Sequence, residues 1–235
     1  MKKILFAFFL FSSFAAGAQT ADEIIQKYSN AMGGLDAFKK VQTVKFTATV
    51  NVQGMDLPAT IQVVNGKAVR TDVEAMGQAV VNAYIDGKAW AINPFNGMET
   101  ATDVEGAELL NMKSQIFLAG YLMDYKALGH TVELQGQETI EGVPTWKIKL
   151  TSKEDGRPII YNISVADNSL IRSMASREVQ GENVDVETWY SDKKQFGGLQ
   201  FYMTRTQKMS GQTFQTITYS NVELNVPIDE KIFNK

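Results

Sequence analysis

The sequence predicts a mainly β (α+β) domain: a single curved antiparallel sheet of about ten strands, forming an open half-barrel covered by two or three short helices. Three observations predict it. Apolar and polar residues alternate at period two over most of the chain, the mark of strands with one dry and one wet face. Turn dipeptides such as Asn65-Gly66 and Asp86-Gly87 fall between the alternating runs. Only two segments carry a helical stripe. With 44% hydrophobic and 21% charged residues in 235, the composition is that of a globular protein. It excludes a disordered tail, a collagen-like repeat and a polytopic membrane protein.

In chain order, Lys2 and Lys3 precede an apolar run, Ile4 to Phe14, and then Ala16-Gly17-Ala18. A basic end, a short apolar stretch and an A-x-A exit predict a secretory signal peptide over 1–18. The run falls short of the roughly 20 residues that span a bilayer. Cleavage would leave 19–235 as one acidic domain. Without a cysteine to carry acyl chains, that domain is expected free in the periplasm, not lipidated. Thr20 and Glu23 then form a capping-box pattern, and Ile25, Tyr28 and Met32 make one apolar stripe. Gly33-Gly34 supplies a left-handed stop, and Leu35 to Lys40 adds a short turn. Val44, Phe46, Ala48, Val50 and Val52 share one strand face, and Lys45, Thr47, Thr49 and Asn51 the other. A second helix is predicted from about Asp103 to Ala119. Thr102 and Glu105 repeat the capping box, and Leu109, Met112 and Ile116 form a stripe that Leu110 and Phe117 widen; Gly120 ends it. Alternation returns at Trp146, Ile148 and Leu150, and at Val184 and Val186, with turns at Asp155-Gly156, Asp167-Asn168 and Gly197-Gly198. No linker and no internal repeat interrupts the pattern.

Such a sheet has more dry face than its helices cover. Ten strands at about 4.8 Å give about 48 Å of width, whereas three helical rods of about 10–12 Å each cover about 30–36 Å. Either the sheet curls or space stays unfilled; a filled core is the commoner fate, and an open apolar cavity the informative one. Met55, Met76, Met98, Met112 and Met123 gather in the first half. They read equally as core filler and as flexible lining for an apolar ligand.

The string from Tyr84 to Thr102, YIDGKAWAINPFNGMETAT, resembles the hairpin of the LolA-like periplasmic lipoprotein carriers: Asp86-Gly87-Lys88, a strand with Trp90, then Asn93-Pro94-Phe95. The opening helix, the capped helix after the Asn-Pro-Phe strand and the closing Val226-Pro227-Ile228-Asp229-Glu230-Lys231-Ile232-Phe233 agree with that layout. The resemblance implies a curved half-barrel whose apolar cavity receives lipoprotein acyl chains released from the inner membrane, under a helical lid. Arg70 looks like the counterpart of an arginine that bonds to the family's lid, although the flanking aromatics of the best-known members are missing; a solvated strand charge is the alternative. The second half, from about His130, matches only in its general strand pattern.

Composition narrows the function classes. Net charge is −3, so no basic surplus exists to neutralise a nucleic-acid backbone. Cysteine is absent and histidine occurs once, which leaves no ordinary zinc ligand set and no thiol chemistry. His130 is expected at the surface at a strand start. No Gly-x-Ser-x-Gly turn and no phosphate-binding glycine motif occurs. Asp185 and Glu187 share a wet strand face, and Asn162-Ile163-Ser164 is a sequon by coincidence of a strand sequence.

The leading expectation is therefore a soluble, monomeric, non-catalytic periplasmic carrier of lipoprotein acyl chains or other lipids. It would need no cofactor or metal, and its partners would be an inner-membrane release complex and an outer-membrane receptor. Leu109, Leu110, Met112, Ile116 and Phe117 would face the cavity from the lid, with Arg70, Trp90, Phe95, Trp146 and Trp189 on its walls; ordinary packing is the alternative for each aromatic. A non-catalytic envelope interaction module, such as a stress sensor or assembly factor, is the second reading. An enzyme with clustered carboxylates is the third.

Overall fold

The computed structural model describes residues 19–179 and 182–235; the predicted signal segment lies outside the described residues. Two helices, α1 (Ala21–Ala31) and α2 (Leu35–Lys40), lead into the first half of the sheet: β1 (Thr43–Val52), β2 (Met55–Val64), β3 (Ala68–Ala75), β4 (Gln78–Ile85), β5 (Lys88–Asn93) and β6 (Met98–Val104). Three short helices follow, α3 (Gly106–Ser114), α4 (Gly120–Met123) and α5 (Tyr125–Leu128). The second half comprises β7 (Thr131–Ile140), β8 (Val143–Thr151), β9 (Pro158–Ser164), β10 (Leu170–Val179), β11 (Glu182–Phe196), β12 (Leu199–Met209) and β13 (Gln212–Leu224). A 3₁₀ turn, Glu230–Phe233, closes the chain.

All thirteen strands join one antiparallel sheet in the order β6-β5-β4-β3-β2-β1-β13-β12-β11-β10-β9-β8-β7. Both halves are meanders that meet at the centre, where β1 pairs with β13. The segment from α3 to α5 therefore leaves one edge of the sheet and must reach the other. Laid flat, thirteen strands at about 4.8 Å would separate those edges by about 58 Å. A nine-residue helix such as α3 spans only about 13.5 Å. Curling brings the edges within reach, and it sets the helices over the hollow side as a strap.

Thirteen strands rather than about ten is a correction to the sequence reading, and its cause is turn chemistry. Gln53-Gly54, Met76-Gly77, Glu141-Gly142 and Ser210-Gly211 all have positive φ at both residues, the same geometry as Asp86-Gly87. Two-residue hairpins require this backbone, and Asn or Asp only favours the first position. A hairpin with Met76 at that position carries no composition signal, so neighbouring strands merge in the pattern.

The first helix forms as predicted. The Glu23 N–H donates to Thr20 Oγ1 (3.2 Å) and the Thr20 N–H to Glu23 Oε2 (3.1 Å). Ile24, Ile25 and Tyr28 are buried, and Gly33 (φ +108°) ends the helix against the β11–β12 hairpin. A Cβ on Gly33 would lie 2.7 Å from the Gly198 carbonyl oxygen, so only glycine permits this approach. The second helix is shorter than expected. Thr102 and Asp103 pair with Ala91 and Trp90 in the β5–β6 ladder, which extends to Val104. Ladder hydrogen bonds replace the capping box, and α3 starts at Gly106 with no side-chain cap. Gly120, expected to end the helix, instead opens α4 at φ +67°. Five α-helices are thus present among the described residues, not two or three.

Candidate functional site

The concave face of the sheet is dressed unequally. Ile148, Leu150 and Ile163 of the sheet are fully buried in one core with Ile24 of α1, and Phe38 of α2 packs edge-on against Phe201 with ring centroids 5.7 Å apart. Farther along the same face Val52, Leu57, Ile61, Val73 and Ile217 remain only partly buried around Ala48, Val50 and Ala59. Strand register puts these residues on one side: Val50 lies between Leu57 and Ile217, and Val73 faces Ala59 and Val80. Between this uncovered stretch and the strap lies a cavity of about 930 Å³. That is near the upper end for small-molecule sites. Leu110 and Met112 of α3, Phe117 and Leu118 of the following loop, and Tyr121 to Met123 of α4 form its roof. A smaller crevice of about 200 Å³ lies between α1 and α5.

The strap is fastened at its middle by the β2–β3 turn. The Gly66 N–H donates to the Ile116 carbonyl (2.8 Å), and the Leu118 N–H donates to Asn65 Oδ1 (3.2 Å). The Asn65 amide also donates to the carbonyls of Phe38 (3.0 Å) and Val41 (2.9 Å), so one side chain joins α2, the sheet and the strap. The Lys113 ammonium bonds Glu154 at 3.0 Å across the rim. The leading end of α3 has no side-chain cap: Glu105 makes no such bond and Gly106 takes φ +61°, two residues after Val104 pairs with Ala89 in the β5–β6 ladder.

Polar side chains also line the cavity, among them Asn82, Glu108, Glu154, Arg157, Arg177 and Arg205. Burial pushes the phenols of Tyr28, Tyr161 and Tyr202 well up, so they stay neutral donors. Arg205 on β12 points in with its cross-strand partners Tyr190 and Ile217. Its side chain is exposed rather than packed away, and it lines the hollow. The pKa is held up, chiefly by the neighbouring Tyr219 hydroxyl.

The predicted site residues divide into three groups. Phe95, Leu110, Met112 and Phe117 line the cavity. Leu109, Ile116 and Trp146 pack against the filled core on the same side. Arg70, Trp90 and Trp189 lie on the opposite, convex face, which corrects their expected place on the cavity walls. The reason is strand parity. Val69 pairs with Tyr84 and Tyr84 with Ala89 on the inner face, which sends Arg70, Ala83 and Trp90 outward. There the closing 3₁₀ turn covers them. Trp90 Nε1 donates to the Phe233 carbonyl (2.8 Å), Arg70 donates to the Ile232 carbonyl (2.7 Å), and Arg70 pairs with Asp72. Arg70 thus holds the closing segment and makes no bond to the strap. Trp189 packs between Arg172 and Lys208 and donates to Glu187.

His130 also corrects its expectation: it is buried, not superficial. Nδ1 accepts from the Lys153 N–H (3.1 Å), its ring lies 4.3 Å from that of Tyr121, and Nε2 has no partner among the described residues. Burial pushes its pKa down, with Glu154 3.7 Å away opposing. Asn162 of the sequon is fully buried and donates to Glu138 and Thr145. Arg205 was missed by sequence reading, although a signal existed. It stands at the parity of Phe201 and Gln207, a charge on the face that should be dry. Among the described residues no cluster of three or more His, Cys, Asp or Glu side chains is placed to hold a metal ion, and no helix is long and apolar enough to cross a membrane.

Comparison with solved structures identifies the architecture. A LolA superfamily protein from Nitrosomonas europaea superposes with a TM-score of 0.62 at 13% identity, over 93% of this chain and 99% of that one. A DUF1329 family protein from Desulfovibrio piger gives 0.61 at 12% identity, over 92% and 98%. An outer membrane lipoprotein-sorting protein domain from Vibrio parahaemolyticus gives 0.59 at 12% identity, over 92% and 96%. No family model and no curated protein matches the sequence. The fold is LolA-like.

Proposed function

We propose that this protein is a periplasmic carrier that receives acyl chains of lipoproteins, or of other lipids, in the hollow beneath the strap and moves them toward the outer membrane by binding without catalysis. The observation that carries the reading is the cavity of about 930 Å³ over a stretch of sheet whose aliphatic side chains are left half-covered. Uncovered aliphatic surface gains from contact with a hydrocarbon tail, at about 0.8 kcal/mol for each methylene withdrawn from water. A chain of about sixteen carbons therefore has ample driving force, and release becomes the harder step. Release requires a second, open state of the strap, and the start of α3, which has no side-chain cap, is the segment we assign to that opening. The likeness to a structure described as a lipoprotein-sorting domain supports the same reading.

The test is extraction and mass spectrometry of lipids from protein purified without detergent, together with titration of a fluorescent acyl probe. Copurified acyl lipids and saturable probe binding are expected, and Ala175→Trp, which fills the hollow from β10, should abolish both while the protein stays folded. Failure of any apolar ligand to copurify or bind would end the carrier reading.

A further inference from the structure

We infer that the cavity selects amphiphiles with an anionic head, a carboxylate or a phosphate, and seats that head inside on Arg205 with the tail along the half-covered strands; this rests on the cavity being a lipid site at all. Three of the five arginines already have carboxylate partners. Arg70 pairs with Asp72, Arg157 with Asp155 and Arg172 with Glu187. Arg205 has no carboxylate within 4.0 Å among the described residues and makes no side-chain hydrogen bond there. Its company is aromatic instead: the guanidinium carbon lies 5.3 Å from the Tyr219 ring centroid and 6.0 Å from that of Tyr190.

An arginine facing the hollow loses its water when a lipid fills the space, and its charge must then be met. Stacking on two tyrosine faces offsets part of that cost, but it uses the faces of the guanidinium and leaves the N–H edge free. That edge is a planar fork matched to two oxygens of a carboxylate or phosphate. The next inward positions continue the polar character. Gln207 pairs with Gln215 across β12 and β13 and with Thr188 across β11 and β12, and all three line the cavity. On the other flank Ile217, Val50 and Leu57 present hydrocarbon. A polar strip headed by Arg205, beside an aliphatic trough, matches an amphiphile with a charged head and one or more tails. A site for purely neutral tails gains nothing from placing an arginine there.

The experiment uses the folded protein spanning 19–235 and displacement of a neutral fluorescent acyl probe by four competitors: palmitate, its methyl ester, hexadecyl phosphate and inorganic phosphate. Palmitate or hexadecyl phosphate should displace the probe at least about tenfold better than the ester, the scale of one charge-assisted bidentate contact. Whichever of the two leads identifies the head as carboxylate or phosphate. Arg205→Gln should erase the preference, with an unchanged circular dichroism spectrum and urea midpoint showing that the variant folds, and Arg205→Lys should keep most of it. Equal affinity for acid and ester, or a preference that survives Arg205→Gln, would overturn the inference and leave the carrier reading standing. Displacement by inorganic phosphate alone would overturn it in favour of a free-anion site. Binding of none of the amphiphiles would remove the lipid reading itself.

Discussion

The two ends of the concave face are built from the same alternating sequence pattern and end in different states. At one end Ile148, Leu150 and Ile163 meet α1 and are sealed. At the other, Val52, Leu57, Val73 and Ile217 have the same parity and chemistry and stay partly exposed. Periodicity says which face is dry; it does not say what covers it. Cover is decided by where the helices fall, and the topology confines the strap to one path between the outer strands. Surplus sheet beyond that path becomes a trough, so a binding site arises here from leaving part of an ordinary core unfilled.

The contrast can be broken most forcefully at the sealed end. Leu150→Ala leaves a void in a packed region and should cost about 2–5 kcal/mol in urea unfolding, whereas Ile217→Ala, whose side chain already borders empty space, should cost under about 1 kcal/mol. Equal losses would mean that both ends are packed alike. Asn65→Ala removes the joint between α2, the sheet and the strap. A loss of about 1–3 kcal/mol is expected, with the Leu118 amide exchanging with solvent much faster than amides of β8. Uniform exchange would show that the strap is not held at this point.

His130 sharpens the same division through pH. Its folded pKa lies below the usual 6.5, so the folded state resists taking up the proton. The stability that the neutral ring provides is fully present above about 6.5 and is lost as pH falls through the unfolded value toward the folded one. Lys113 and Lys153 add to the downward push, and Glu154 and Asp155 oppose it. The midpoint of urea unfolding should therefore fall from pH 7 to pH 5, and His130→Gln should flatten that slope. An unchanged slope would assign the acid sensitivity elsewhere. The smallest effect is expected at Phe95, half exposed on the cavity rim. Phe95→Ala should leave stability within about 0.5 kcal/mol and weaken acyl-probe binding severalfold.

Much of this was legible in the sequence. The capping box at Thr20 and Glu23, the glycine stop at Gly33 and the inward set of β1 follow from local chemistry and reappear unchanged. The string around Asp86-Gly87-Lys88 pointed to the LolA-like fold that the superpositions display. Three things were not legible, each for a physical reason. Hairpins such as Met76-Gly77 hide because positive φ is imposed by the strand ladder, with no turn-favouring residue in first place. The length of α3 depended on whether Thr102 joined a ladder with Ala91, a contact that local sequence does not contain. Arg70 and Trp90 were placed by residue type, whereas their face is set by parity counted from Val69 and Tyr84, and their cover comes from residues 162 and 143 positions away. Arg205 shows the reverse: parity alone placed it inside, and only the expectation that inward residues are apolar kept it from notice.

The most direct measurement is the crystallographic position of bromine in protein soaked with a brominated long-chain fatty acid. Anomalous peaks are predicted within the trough between Ile217, Val73 and Phe117, with the unbrominated head end toward Arg205. Bromine found only on the outer surface, or a trough closed by side chains that leave no path for the tail, would contradict the account.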